Sequence, residues 1–192
     1  MAPPRLGVVQ AAVYAAEAEA LEAWGQRWSR VRQAQAYADG LVGREWFAAR
    51  WPHFGRCHVE RRGSGARYST AAALDGDGPA PAGAIVLLAP GHLTQAVLLH
   101  ELAHVLAGPG EGHSAGFLTV QLELVRNEMG FGAYADYRAA LGRKPELAGL
   151  MAPREPLQAL SSLAPGGSDP GGVPAPSDDV ANRLGRRHHG YQ

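Results

Sequence analysis

The 192-residue chain contains one cysteine, one lysine and no long hydrophobic run. Because Cys57 has no second cysteine to pair with, the chain cannot form an internal disulfide or hold a metal ion in a cysteine cluster. No apolar stretch approaches the ~20 residues that a membrane-spanning helix requires, and the N-terminus lacks the basic and apolar regions of a signal peptide. These absences predict a cytoplasmic protein without a membrane partner.

A net charge of either sign is absent as well. The 18 basic and 18 acidic residues cancel, and they cancel again on each side of residue 150, with 14 of each before it and 4 of each after it. A neutral chain offers no broad electrostatic attraction to nucleic acid. One local basic patch surrounds residues 63–65 and is interpreted as solvated arginines beside a hairpin turn; its members are Arg56, Arg61, Arg62 and Arg67.

The composition changes near residue 150. Residues 1–150 contain enough apolar material for one domain, whereas proline recurs with glycine and serine through residues 151–192. Too few large apolar side chains are left in that second segment to build a core. The sequence therefore predicts a folded domain over residues 1–150 and a disordered tail over residues 151–192.

The most informative pattern is H-E-x-x-H, which occupies residues 100–104 as His-Glu-Leu-Ala-His. It lies in a run of apolar, helix-forming residues predicted as a helix over residues 93–107. One helical turn separates His100 from His104, so that both imidazoles can share one metal ion. Glu101 lies between them and is the candidate general base, taking a proton from a water molecule that the metal activates.

A tetrahedral zinc site needs at least one more protein ligand, and His113 is the favoured candidate. The glycine-rich residues 108–112 end the helix and allow the chain to reverse. His113 can then return toward the first two histidines, just before Ser114, which is predicted to cap a helix over residues 115–129.

Three glutamates are alternative third ligands by their distance from His104 along the chain. Glu111 lies in the glycine-rich turn, where nothing fixes its direction. Glu123 and Glu128 lie on the following helix, but their spacing also fits the outer, solvated face of an amphipathic helix.

Hydrophobic periodicity predicts an α+β domain. One long apolar stripe indicates a helix over residues 6–38, with Trp24 and Trp28 as core residues. The other predicted elements are a helix over 42–50, strands over 57–62, 67–74 and 84–89, the two helices that flank the glycine-rich turn, and a helix over 134–143. The first two strands are expected to form a hairpin, and the third strand to be the more buried.

The motif and its surroundings resemble the SprT-like zinc metalloproteases, in which H-E-x-x-H is followed by H-G-x-x-F. Here Ser114 stands where those proteins have glycine. The segment Val-Tyr-Ala-Ala-Glu at residues 13–17 is similar to the opening of a family of metallohydrolases from actinobacteria and their phages. The resemblance covers about residues 8–145. It implies a minimal zincin-like fold with Zn²⁺ bound by His100, His104 and His113, and Glu101 as the base.

The sequence favours a zinc-dependent metallohydrolase, in particular a peptidase acting on an extended peptide or protein substrate. Tyr134, Tyr137 and Arg126 are candidates, by residue type alone, for the donor that stabilises the anion formed in catalysis. One alternative is a non-catalytic zinc-stabilised binding domain, since a small fold benefits from a bound metal. The other is a phage-type peptidase that cleaves a repressor, with the same motif and a different third ligand.

Overall fold

A computed structural model describes residues 6–76 and 80–151 of the chain. Within these residues the protein is an α+β fold with seven α-helices, one 3₁₀ turn at Pro145–Leu147 and a three-stranded mixed sheet. The helices are α1 (Leu6–Ala20), α2 (Val31–Val42), α3 (Glu45–Arg50), α4 (Gln95–Ala107), α5 (Ala115–Glu128), α6 (Gly130–Gly142) and α7 (Ala148–Met151). The strands are β1 (Arg56–Arg61), β2 (Thr70–Leu74) and β3 (Gly83–Leu88).

The predicted disordered tail, residues 151–192, lies outside the described residues except for Met151. Among the helices that are described, none combines the length and the apolar character needed to cross a membrane.

The sheet has the order β1-β3-β2, with β3 parallel to β1 and antiparallel to β2. The predicted hairpin between the first two strands is therefore wrong, because both of them pair with β3 instead of with each other. The physical reason is burial: Ala84, Val86 and Leu88 of β3 are fully buried. A strand of continuous apolar residues is best placed at the centre of a sheet, and its more polar neighbours then take the edges.

The single helix predicted over residues 6–38 is wrong as well, since α1 ends at Ala20 and α2 begins at Val31. The intervening chain pairs with the segment that leads into α4. Trp28 N donates to Leu93 O at 2.8 Å, and Gln95 N donates to Gln26 O at 2.9 Å. Such long-range backbone pairing is a tertiary interaction that helical periodicity cannot reveal.

The two tryptophans of that segment differ in burial. Trp24 is 48% exposed, so its predicted place in the core is wrong. Its ring lies against Gly132 of α6, and its indole N–H donates to Asp136 at 3.0 Å. Trp28 is half-buried and packs against the edge of the core.

The helix α4 is buried between the sheet and α5. It contacts α5, β2 and β3, and most of its residues are buried. Thr94 caps its start by accepting a hydrogen bond from Val97 N at 3.3 Å. Ser114 caps α5 by accepting from Gly116 N and Phe117 N, as predicted. The two helices on either side of the glycine-rich turn are thus confirmed to within one or two residues.

Gly83 lies where β3 approaches β1 most closely, and a Cβ there would overlap the main-chain carbonyl of Arg56. We expect Gly83→Ala to lower the free energy of unfolding by about 1–3 kcal/mol, the usual cost of overpacking. Urea denaturation of both proteins measures the difference. Gly55→Ala is the matched control, because a Cβ at Gly55 would come no closer than 4.0 Å to Ala82 O. An unchanged urea midpoint for Gly83→Ala would show that β1 and β3 can move apart to accommodate the Cβ without loss of stability.

Candidate metal centre

Three histidines from two neighbouring segments meet on one side of α4. His100 and His104 lie one turn apart on α4, and His113 is returned toward them by the glycine-rich turn. The Nε2 atom of His100 lies 3.2 Å from His104 Nε2 and 3.3 Å from His113 Nε2. The ligating atoms of all three lie within 4.8 Å of one another, so this three-histidine cluster can hold a metal ion.

The spacing and protonation of the three-histidine cluster fit a tetrahedral metal such as zinc. Zinc–nitrogen bonds of about 2.0–2.1 Å in tetrahedral geometry place two nitrogen ligands about 3.3 Å apart, close to the two Nε2 separations that involve His100. Burial, reinforced by the neighbouring imidazoles, lowers the pKa of His104 to about 4 and that of His113 to about 3. Both rings are therefore neutral at pH 7 and present the lone pairs that a metal requires.

A chain of hydrogen bonds behind His100 fixes the orientation of its ring. His100 Nδ1 donates to Glu17 Oε1 of α1 at 2.6 Å. The side-chain amide of Gln121 also donates to Glu17, and Tyr137 OH donates to Gln121 Oε1 at 2.6 Å. A carboxylate that accepts from the far nitrogen of a ligand histidine selects the tautomer whose Nε2 can bind the metal.

The charge environment of His100 differs from that of its two neighbours. Burial disfavours the protonated ring, but the charge of Glu17 and its hydrogen bond outweigh burial and raise the pKa of His100. The same carboxylate makes the ring a more basic ligand, because it stabilises positive charge on the imidazole.

Aromatic rings surround the three-histidine cluster. The Phe117 ring lies 5.1, 4.3 and 4.8 Å from those of His100, His104 and His113. The Tyr14 ring lies 5.1 Å from that of His100 and 5.5 Å from that of His113. These contacts restrict the imidazole rings and keep the cluster in an apolar surrounding.

Glu101 lies beside the cluster and lines a cavity of about 620 Å³, which we name the Glu101 cavity. Tyr14, His104 and His113 line it as well. Burial is the main cause that raises the pKa of Glu101, although the charges of His100 and Arg62 oppose it. A carboxylate with a raised pKa can accept and return a proton nearer neutral pH.

The structure separates the alternative third ligands. Glu111 lines the Glu101 cavity and accepts a hydrogen bond from the Ser114 hydroxyl. Glu123 instead forms an ion pair with Arg50 at 3.2 Å. The Glu128 side chain is fully buried, so its predicted place on a solvated face is wrong. It accepts from Tyr37 OH at 2.6 Å and lies 3.3 Å from Arg44 Nε, outside the three-histidine cluster.

The three residues suggested as anion donors lie away from the Glu101 cavity. Tyr137 is fully buried and its hydroxyl is engaged by Gln121. Tyr134 accepts from Arg138 at 2.9 Å, and the Arg126 guanidinium lies over the Tyr134 ring. Residue type alone was therefore a poor guide to position.

Sequence reasoning also missed two of the polar residues that α1 contributes to the site. Glu17 and Tyr14 occur in the quoted segment 13–17 without a role. Their spacing of three places them on the same face of a helix, and this was the available signal. Nothing in the local sequence shows that this face meets α4.

A scan against protein-family models and searches of curated proteins and of solved structures find no match to this chain. The described residues define an α+β protein with a three-histidine cluster that can hold a metal ion. What the chain does is therefore inferred from the chemistry of the site, since a fold class does not determine function.

His113→Ala removes one of the three candidate nitrogen ligands. We expect the purified wild type to hold one zinc per chain and the His113→Ala variant to lose most of it. Metal content is measured by mass spectrometry after purification without a tag or chelator. His58→Ala is the control, because His58 is exposed on β1 and pairs with Glu60 at 3.0 Å. Full zinc retention in His113→Ala would favour Glu111 as the third ligand.

Glu17→Ala removes the carboxylate that orients His100, and we expect zinc affinity to fall about 10- to 100-fold. Competition with a chromogenic chelator measures the dissociation constant. Glu19→Ala is the matched control on the same helix, because Glu19 is an exposed partner of Arg143 and Lys144. Equal affinities for the two variants would contradict the orienting role.

Proposed function

We propose that the chain is a zinc-dependent hydrolase of peptide bonds with a minimal zincin-like fold. The observation that supports it is the meeting of Glu101, His104 and His113 on the wall of one open cavity, with His100 directly behind them. A site that only stabilises the fold has no need for a carboxylate beside its first ligand, and it closes its fourth position with protein.

The donor set favours zinc as the metal. Three imidazole nitrogens that lie within 4.8 Å of one another form a ligand set typical of catalytic zinc sites. When bound, zinc supplies a Lewis acid that polarises the scissile carbonyl and lowers the pKa of water to near neutrality.

Glu101 would transfer the protons of the reaction. One carboxylate oxygen accepts a proton from the attacking water and later gives it to the nitrogen of the leaving amine. Burial raises the pKa of Glu101, and this favours acceptance of the water proton.

The edge strand β2 is the proposed place for the substrate backbone. Within the described residues β2 pairs with β3 alone, so its other edge can accept an extended peptide as an additional strand. Its three central side chains are alanines, from residue 71 to residue 73. Recognition through backbone hydrogen bonds rather than through large side chains fits such a strand.

Open space continues on both sides of the three-histidine cluster. The Glu101 cavity extends to Ser69, before the start of β2, and a second cavity of about 400 Å³ extends to Leu74, at its end. Ala71, His104 and Gly112 line both cavities. A polypeptide could therefore continue in both directions from the cluster, which favours cleavage of internal bonds over removal of a terminal residue.

Glu101→Gln removes the base and leaves the three histidines in place. We expect the hydrolysis of fluorescently labelled, unfolded casein to fall by at least about 10²-fold, while zinc content stays at the wild-type level. Glu123→Gln is the control, because Glu123 pairs with Arg50 outside the cavity. Persisting hydrolysis in Glu101→Gln would reject Glu101 as the base.

The two alternatives both leave casein intact and differ in what else they predict. A zinc-stabilised binding domain would hold zinc and unfold when it is chelated, yet cleave no polypeptide. A phage-type peptidase specific for a repressor would leave casein intact but would still depend on Glu101 when its own substrate is supplied.

A further inference from the structure

Tyr14 belongs to none of the motifs around residues 100–113, yet its side chain lies at the centre of the site. It stands on α1, and its ring covers the rings of His100 and His113 at 5.1 and 5.5 Å between centroids. It also lines the Glu101 cavity together with Glu101 itself. A large aromatic residue on this cavity is 40% exposed, so part of it faces whatever occupies the cavity.

The hydroxyl of Tyr14 has an accepting side and a free donating side. Gln10, one turn earlier on α1, donates from Nε2 to the Tyr14 oxygen at 3.2 Å and lines the same cavity. Gln10 donates to the Tyr14 oxygen and does not accept from it. Within the described residues the hydroxyl hydrogen of Tyr14 therefore has no acceptor. A hydroxyl that accepts one hydrogen bond becomes a stronger donor of another.

An ordinary phenol has a pKa of about 10 and keeps its proton at neutral pH. The Tyr14 hydroxyl can therefore donate a hydrogen bond without losing its proton.

We propose that Tyr14 is a further catalytic residue, whose phenol O–H donates a hydrogen bond to the oxyanion formed when the substrate carbonyl is attacked. This inference rests on the proposed hydrolase function. Preorganised donors aimed at a developing oxyanion are among the largest contributions to acyl transfer. Of the tyrosines in the described residues, Tyr14 is the one that lines the Glu101 cavity.

Tyr14 keeps its own proton throughout the hydrolytic step. The water oxygen bonds to the carbonyl carbon, one water proton passes to Glu101, and the carbonyl π pair moves onto the oxygen that Tyr14 faces. The oxyanion electron pair re-forms the C=O bond as the C–N bond breaks; the C–N pair stays on nitrogen, which takes the proton from Glu101. Tyr14 then returns to a weaker hydrogen bond with its own proton retained.

The substitution Tyr14→Phe tests this role, because it keeps the ring against the histidines and removes only the hydroxyl. We expect zinc content to be unchanged. We expect the affinity of the zinc-loaded protein for inorganic phosphate, a tetrahedral anion, to fall about tenfold by calorimetry. We also expect kcat on labelled casein to fall about 10²- to 10³-fold with KM within about twofold.

Tyr134→Phe is the matched control, because Tyr134 of α6 contacts Arg138 of α6 and Arg126 of α5 and does not line the Glu101 cavity. Unchanged phosphate affinity and kcat in Tyr14→Phe would overturn the proposal. Loss of zinc in that variant would also overturn it, because Tyr14 would then serve to pack the ligands. So would a wild-type protein that holds zinc but binds no phosphate.

Casein hydrolysis and phosphate affinity test the proposed function and the role of Tyr14 separately. If the zinc-loaded wild type leaves casein intact, the peptidase proposal loses its support, whereas the phosphate measurement still decides whether Tyr14 faces an anion. If casein is cleaved equally by wild type and Tyr14→Phe, the peptidase proposal stands and the role of Tyr14 is rejected.

Discussion

The hydrogen bond between Glu17 and His100 joins the first helix of the domain to the helix that carries the H-E-x-x-H motif, and the same network extends to two further helices. Gln121 from α5 donates to Glu17, and Tyr137 from α6 donates to Gln121. Gln121 and Tyr137 are fully buried. Buried polar groups are costly unless they are paired, and these are satisfied only when all four helices are in place. The packing of these four helices and the orientation of the His100 ring therefore depend on each other.

The glycine-rich turn provides a second constraint, because it decides whether His113 returns to the cluster. Gly108, Gly110 and Gly112 have φ values of +105°, +83° and +52°, a region that other residues adopt only with strain. Ser114 then starts α5 by capping it, immediately after His113. The end of α4, three glycines with positive φ and the start of α5 together position His113. Each of these three signals is local in the sequence.

Local signals explain which parts of this structure were predictable from the sequence. The H-E-x-x-H spacing, the glycine-rich turn and the Ser114 cap each act over a few residues, and α4, α5 and the three-histidine cluster follow from them. The break between α1 and α2 and the strand order β1-β3-β2 depend on pairing between distant segments. Glu17 and Tyr14 were missed for the same reason, since only packing decides which face of α1 meets α4.

The face of α1 that carries Gln10, Tyr14 and Glu17 adds what α4 cannot supply by itself. In the proposed site α4 would provide two ligand nitrogens and a base, but it cannot orient its own first histidine or add the proposed donor to the cavity wall. Three and four residues of helix separate these side chains, so they lie in one row along α1. Glu17 reaches the rear of His100, while Gln10 and Tyr14 reach the cavity in front of it. One helix therefore carries both the residue that orients His100 and the proposed donor Tyr14, so a shift of α1 would disturb both together.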